Sequence, residues 1–196
     1  TLSRSSAASD VYKRQATHLP PIAATAFYHQ RLPQQPENFE HFMNEVRSFA
    51  ENEYISALFK GSDLSESEQT QIAQRLHEYT GLSVDYIRKA NLRIYGERFR
   101  KELLRDQGVA VGRLDGRFVI DEVDDLNDVP NEDPSSSFVS PAFVALFQDY
   151  IASELNIEEE KPYATLNRSA NQQWKRNAGS NSVFAGYVDV TASLTA

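Results

Sequence analysis

PENFEHFMNEVRSFAENEYISALFKG, residues 36–61, decides what kind of chain this is. Phe39, Phe42, Met43, Val46, Phe49, Ala50, Tyr54, Ile55, Leu58 and Phe59 return every three or four positions. That spacing gathers apolar groups on one side of an α-helix, whereas a half-buried strand would alternate. We expect a helix from Pro36 to Phe59, stopped at Gly61. Each large side chain of such a stripe contributes roughly 1.5–3 kcal/mol when buried. This helix should therefore anchor the core.

Downstream, Ser65 followed three residues later by Glu68 forms a capping box. It opens a helix with Ile72, Ala73, Leu76 and Tyr79 inward and Gly81 at its end. Ser83 caps a short helix, residues 84–90. Another is expected over residues 97–107, with Phe99, Leu103 and Leu104 inward, closed by Gly108. At VAVGRLDGRFVI, residues 109–120, the period changes. Val109 and Val111 on one side and Phe118 and Ile120 on the other flank Leu114-Asp115-Gly116, a hairpin signal. An acidic loop, DEVDDLNDVPNEDPSSS, follows. Ser140-Pro141 then suggests an N-cap with proline at the first helical position, opening a helix through Leu155. Residues 161–182 are polar and irregular around Trp174, and residues 186–196 look like the start of another helix. The fold class expected is mainly α with a short β-hairpin. Amphipathic helices this loosely connected resemble a layer packed against a larger body.

Upstream, Pro20-Pro21 and Pro33 suggest breaks, so residues 16–36 are expected to form a connector. SSAASDVYKRQ, residues 5–15, matches codon for codon the translation of a common transposase sequencing adapter. Residues 1–15 are accordingly set aside as an adapter-derived tag, expected to be disordered. A frame fused to an adapter implies that the natural N-terminus is missing. Val188 to Ala196 shows no helix-stop signal, and the expectation is an internal fragment of a longer protein.

Apolar residues make up 40% of the chain and charged residues 24%, as in ordinary soluble proteins. The formal net charge is −8; without residues 1–15, which carry Arg4, Lys13 and Arg14 against Asp10, it is −10. Such acidity argues against nucleic acid, whose phosphates need clustered cations. No apolar run approaches the roughly 20 residues of a membrane span. The absence of cysteine excludes a disulfide framework, a cysteine zinc site and a thiol nucleophile. Compartment is left open, with export of a full-length parent compatible with the sequence.

His41 and Glu45 stand at metal-ligating i, i+4 spacing, but nothing completes the set, and a solvated surface pair is favoured. The loop from Asp121 to Asp133 lacks the sixth-position glycine and closing glutamate of a calcium loop. Asn167-Arg168-Ser169 is a glycosylation sequon of a kind that recurs by chance. No serine sits in a G-x-S-x-G turn. Arg113, Asp115 and Arg117 crowd the hairpin turn. They either offer two cations to a carboxylate or form an internal Arg–Asp pair that fixes the turn, which is the reading favoured. No catalytic set is visible, and neither a cofactor nor a metal is expected.

ATAFYH (24–29), NEYISALFKG (52–61), LHEYTGLSVDYIRKANLRI (76–94), RFRKELLRDQGVAVGRLDGRF (98–118), EDPS (132–135) and GYVDVTASL (186–194) occur in this order. In that order they resemble a segment of bacterial serine carboxypeptidase-like proteins, the most specific block being KELLRD followed by VGRLDGRF. The resemblance covers essentially residues 17–196. SANQQWKRNAGSNS (169–182) departs from it, keeping Trp174 of a turn expected to be richer in tryptophan and glycine.

The resemblance implies an α/β-hydrolase parent that removes C-terminal residues from peptides by acyl transfer, using Ser, Asp and His in that order. It also implies that the whole triad lies outside this fragment. No catalytic residue is therefore assigned here. Residues 37–160 would be a helical cap and residues 161–196 a truncated return to the sheet, in an incomplete α/β-hydrolase fold. Tyr28, His29, Arg113 and Arg117 sit in family-like blocks and are the substrate-binding candidates. The implied partner is a peptide; oligomeric state is not implied. The alternative is a non-catalytic helical binding domain.

Overall fold

The apolar stripe of residues 36–61 does become helix, but in two pieces. The structure, a computed structural model, describes residues 2–157, with side chains from Tyr12 onward. In chain order its elements are α1 (Leu2–Tyr28), α2 (Phe39–Phe49), α3 (Ile55–Lys60), α4 (Glu66–Thr80), α5 (Val84–Lys89), α6 (Gly96–Glu102), β1 (Val109–Val111), β2 (Val119–Asp121) and α7 (Pro134–Ser153). The protein is mainly helical with a small antiparallel hairpin. The chain divides into two units, Thr1–Ser140 and Pro141–Ala196. The expectations for residues 158–196, including Trp174 and GYVDVTASL, lie outside the described residues.

Between α2 and α3 the helix widens into one π-type turn, Ala50–Tyr54. The extra residue in that turn lets Phe49, Ala50, Tyr54, Ala57 and Leu58 all stay buried. Asn38 caps α2 by accepting from the His41 N–H at 2.9 Å. At α4 the capping box is complete. Ser65 Oγ accepts from the Glu68 N–H at 3.2 Å, and Glu68 Oε2 accepts from the Ser65 N–H at 2.8 Å. Hydrogen bonds from Lys60 and then from Ser65 hold the Glu68 carboxyl down at about 2. Gly81 closes α4 in the left-handed conformation, and Ser83 caps α5.

Two expectations upstream are corrected. Residues 2–15 are helical rather than disordered, and residues 16–28 continue that helix rather than forming a connector. Gln15, Ala16, Leu19, Ile22, Ala23 and Ala26 are buried. Pro20 and Pro21 supply no N–H, so the turn around them lacks two ladder bonds. The stripe of small and branched side chains on either side of them overrides that break. The core is built around this helix, because α1 packs against α2, α3, α4 and α6. Phe42, Val46, Phe49, Tyr54, Leu76 and Ile87 lie together at its centre.

Between α5 and α6 the chain turns through Asn91 and Leu92, both at positive φ, +50° and +63°. A leucine tolerates that backbone only where its surroundings hold it. Here the Leu92 side chain is buried, and its carbonyl accepts from Tyr54 Oη at 2.7 Å. Burial pushes the Tyr54 phenol well above its ordinary range, and the main chain of Ile94 and the charge of Arg93 oppose only part of that.

The hairpin pairs Val109 with Asp121, Ala110 with Ile120 and Val111 with Val119. It is fastened to α6 by charge. Lys101, fully buried, donates to Glu122 Oε2 at 2.6 Å and to the Asp124 carbonyl at 2.7 Å. Arg100 donates to the Val111 carbonyl at 2.9 Å and to that of Glu132 at 3.2 Å. Arg105 reaches the carbonyls of Asp125 and Asn127. The acidic loop is thus bound by the basic side chains of RFRKELLR. Helix α7 begins at Pro134, seven residues before the expected start at Pro141. Asp133-Pro134 follows the same cap-then-proline rule as Ser140-Pro141. Asp133 Oδ1 also accepts from Ser135 Oγ at 2.7 Å and from the Arg113 N–H at 2.8 Å, which ties this start to the hairpin loop.

Candidate functional site

The C-terminal turn of α1 and the hairpin loop, residues 112–118, come together across a wide stretch of sequence. His29 Nε2 donates to the Gly116 carbonyl at 2.7 Å. Gly116 lies so close to α1 that a methyl group there would stand 2.5 Å from Thr25 Oγ1. Gly112 is tighter still: its methyl group would meet the Asp115 carbonyl oxygen at 2.2 Å. Both glycines are required by close approach, and together they fold the loop down onto α1.

An open cleft of about 650 Å³ results. Phe27, Tyr28, Phe39 and Leu114 supply most of its apolar wall, and Thr25 and Arg117 supply polar atoms. Phe27 packs against Phe39 with ring centres 4.9 Å apart, and Tyr28 stands edge-on to His29 at 5.0 Å. Tyr28, Phe39 and Leu114 are largely exposed, so an apolar surface faces solvent here.

Of the four substrate-binding candidates, Tyr28 and Arg117 line this cleft, and His29 fastens its floor from behind. Arg117 forms a two-pronged pair with Asp115, with Nε at 2.9 Å and Nη2 at 2.6 Å from the carboxylate oxygens. Those side-chain bonds, and then the bond from the Arg117 N–H, lower the Asp115 carboxyl to about 2. The internal Arg–Asp pair favoured from sequence is therefore present. Arg113 is directed elsewhere, its Nε 3.7 Å from Asp133 Oδ2. Burial works against ionisation of Asp133, but hydrogen bonds from Arg113 and Ser135 and the charge of Arg100 outweigh it. Thr25, Phe27, Phe39 and Leu114 were not singled out as site residues from sequence. Nothing in local spacing links α1 to a loop so distant along the chain.

His29 and His77 each have one ring nitrogen bonded to a main-chain carbonyl. His41 and Glu45 stand 3.7 Å apart on the surface. Among the described residues no group of three or more His, Asp or Glu is placed to hold a metal ion. Among them, too, no helix is long and apolar enough to cross a membrane. No protein family, curated protein or solved structure matches this chain.

Proposed function

We propose that this chain is part of a serine-type carboxypeptidase whose Ser, Asp and His are carried by the parent polypeptide outside these residues. The cleft where Tyr28 and Arg117 meet carries the reading. An apolar wall beside a guanidinium suits the terminal residue of a peptide, the side chain on Phe27, Phe39 and Leu114 and the carboxylate toward Arg117. Asp115 occupies Nε and Nη2 of that guanidinium, which leaves Nη1 to donate. The helices would serve as a cap that shapes the pocket and keeps water from the acyl transfer done by the body. The incomplete α/β-hydrolase fold belongs to the same proposal. Exposed Phe143, Leu146 and Tyr150 on α7 are the kind of surface a cap lays against such a body.

The complete parent gene tests this. It should encode a serine in a nucleophile turn before these residues and an aspartate and a histidine after them. Its product should release the terminal residue of a blocked dipeptide. In it, Leu114→Asp should raise KM for apolar terminal residues by about tenfold, on the order of 1.4 kcal/mol. A gene without the trio would leave the helical binding domain as the surviving reading. The 196-residue chain alone should not react with a fluorophosphonate, and strong labelling would mean that a nucleophile lies within it.

A further inference from the structure

The outer edge of the hairpin shares no lining residue with the cleft. In an antiparallel ladder successive residues alternate between facing the partner strand and facing away. Ile120 lies opposite Ala110, the Gly112 N–H donates to the Phe118 carbonyl at 2.9 Å, and the Glu122 N–H donates to the Gly108 carbonyl at 2.8 Å. Phe118, Ile120 and Glu122 therefore direct their main chain at β1. The N–H and C=O groups of Val119 and Asp121 point the other way, and among the described residues they have no partner. A groove of about 320 Å³ runs here, lined by Val119, Ile120, Asp121, Ser137 and Phe138. Its helical wall is the first turns of α7, where Phe138, largely exposed, stacks on Phe118 at 5.4 Å.

Charge selects the occupant. Glu122 and Asp125 face Lys101, Asp128 faces Arg98, and Asp133 faces Arg100 and Arg113. Asp121, exposed on the free edge itself, has no cation among the described residues. We infer that β2 takes an extended peptide segment of alternating apolar and basic residues as a third strand, in the groove between β2 and α7. Side chains of an added strand alternate between its two faces. One set would fall beside Phe118, Ile120 and Phe138 and is apolar. The other would fall beside Val119 and Asp121 and is cationic. This inference does not rest on the hydrolase reading, and the test leaves the cleft untouched.

The test uses the full chain and a fluorescein-labelled, end-capped heptapeptide alternating valine and lysine. Anisotropy should report binding, and amide resonances of Val119 and Asp121 should shift on titration. Methylating alternate peptide nitrogens, which removes the ladder donors but keeps the side chains, should weaken binding at least about tenfold. Asp121→Lys, an exposed change whose fold is checked by circular dichroism, should transfer the preference to a valine–glutamate peptide. Phe138→Ala should weaken binding of both. The inference is overturned by no binding up to about 1 mM peptide. Equal affinity of the methylated peptide, or an unchanged preference in the Asp121→Lys chain, would overturn it as well.

Discussion

Two parts of the first unit are held together by different physics. Around α2, α3 and α4 the contacts are mainly apolar: Phe42, Val46, Phe49, Leu76 and Tyr79 exclude water. Around α6, the hairpin and the acidic loop, the fastening is ionic, with Lys101 buried against Glu122 and Arg98, Arg100 and Arg105 spread along the loop. Apolar burial is nondirectional and little affected by salt, and it tolerates changes that conserve volume. A buried ion pair favours one geometry, and loss of either partner strands the other. The apolar part therefore supplies stability, while the ionic part holds the hairpin loop where the cleft needs it.

The largest separation between the two should come from truncation. Phe49→Ala is expected to cost about 3–5 kcal/mol in urea unfolding, since it empties the centre of the apolar part. Lys101→Met should cost a similar 3–5 kcal/mol, roughly, because Glu122 is left charged and buried. Only the second loss should be recovered by a further change, Glu122→Leu, which replaces the pair by packing. If the double variant is no more stable than Lys101→Met, the pair is not what fastens the loop.

Next in size is the loop's seat on α1. Gly116→Ala should destabilise by about 1–3 kcal/mol through overpacking against Thr25. Thr25→Ala should restore most of it, whereas no side-chain change should rescue Gly112→Ala, whose obstacle is a main-chain oxygen. Unfolding curves of the four variants check this directly.

Smaller again is the loss of residues 1–15. Tyr12 packs edge-on against Phe59 at 5.2 Å, and such aromatic pairs are worth about 0.5–1.5 kcal/mol. A chain starting at Ala16 should fall in stability by that amount, and circular dichroism should show loss of no more helix than the deleted residues supplied. The smallest effect is electrostatic. Asp115 titrates at about 2 in the folded chain against 3.8 ordinarily, so its contribution is present above about pH 4 and lost as pH falls toward 2. Arg117→Gln should return its titration, followed by carboxyl-carbon NMR, toward 3.8.

What could be read from the chain was what is written locally. Ser65 with Glu68, Ser83, Gly81, and Val109 and Val111 before the hairpin turn with Phe118 and Ile120 after it announce their elements within a few residues. The helix through Pro20 and Pro21 was hidden because local backbone rules oppose it, and tertiary burial of Leu19, Ile22 and Ala23 decides the matter. The start of α7 was misplaced because two cap-and-proline pairs lie seven residues apart, and the choice depends on what Asp133 touches. At the site, Tyr28 and Arg117 were named from family-like blocks. Their meeting with Phe39 and Leu114 is a product of folding over long separations, which no periodicity encodes.

Tyr54 has one more consequence. With its phenol enclosed and bonded to the carbonyl of Leu92, this ring cannot release its proton while the chain stays folded at pH values where surface tyrosines already do, near 10. Alkali should therefore release that proton only as the fold opens, so late-appearing tyrosinate absorbance would act as an internal clock for the collapse of the α5–α6 turn.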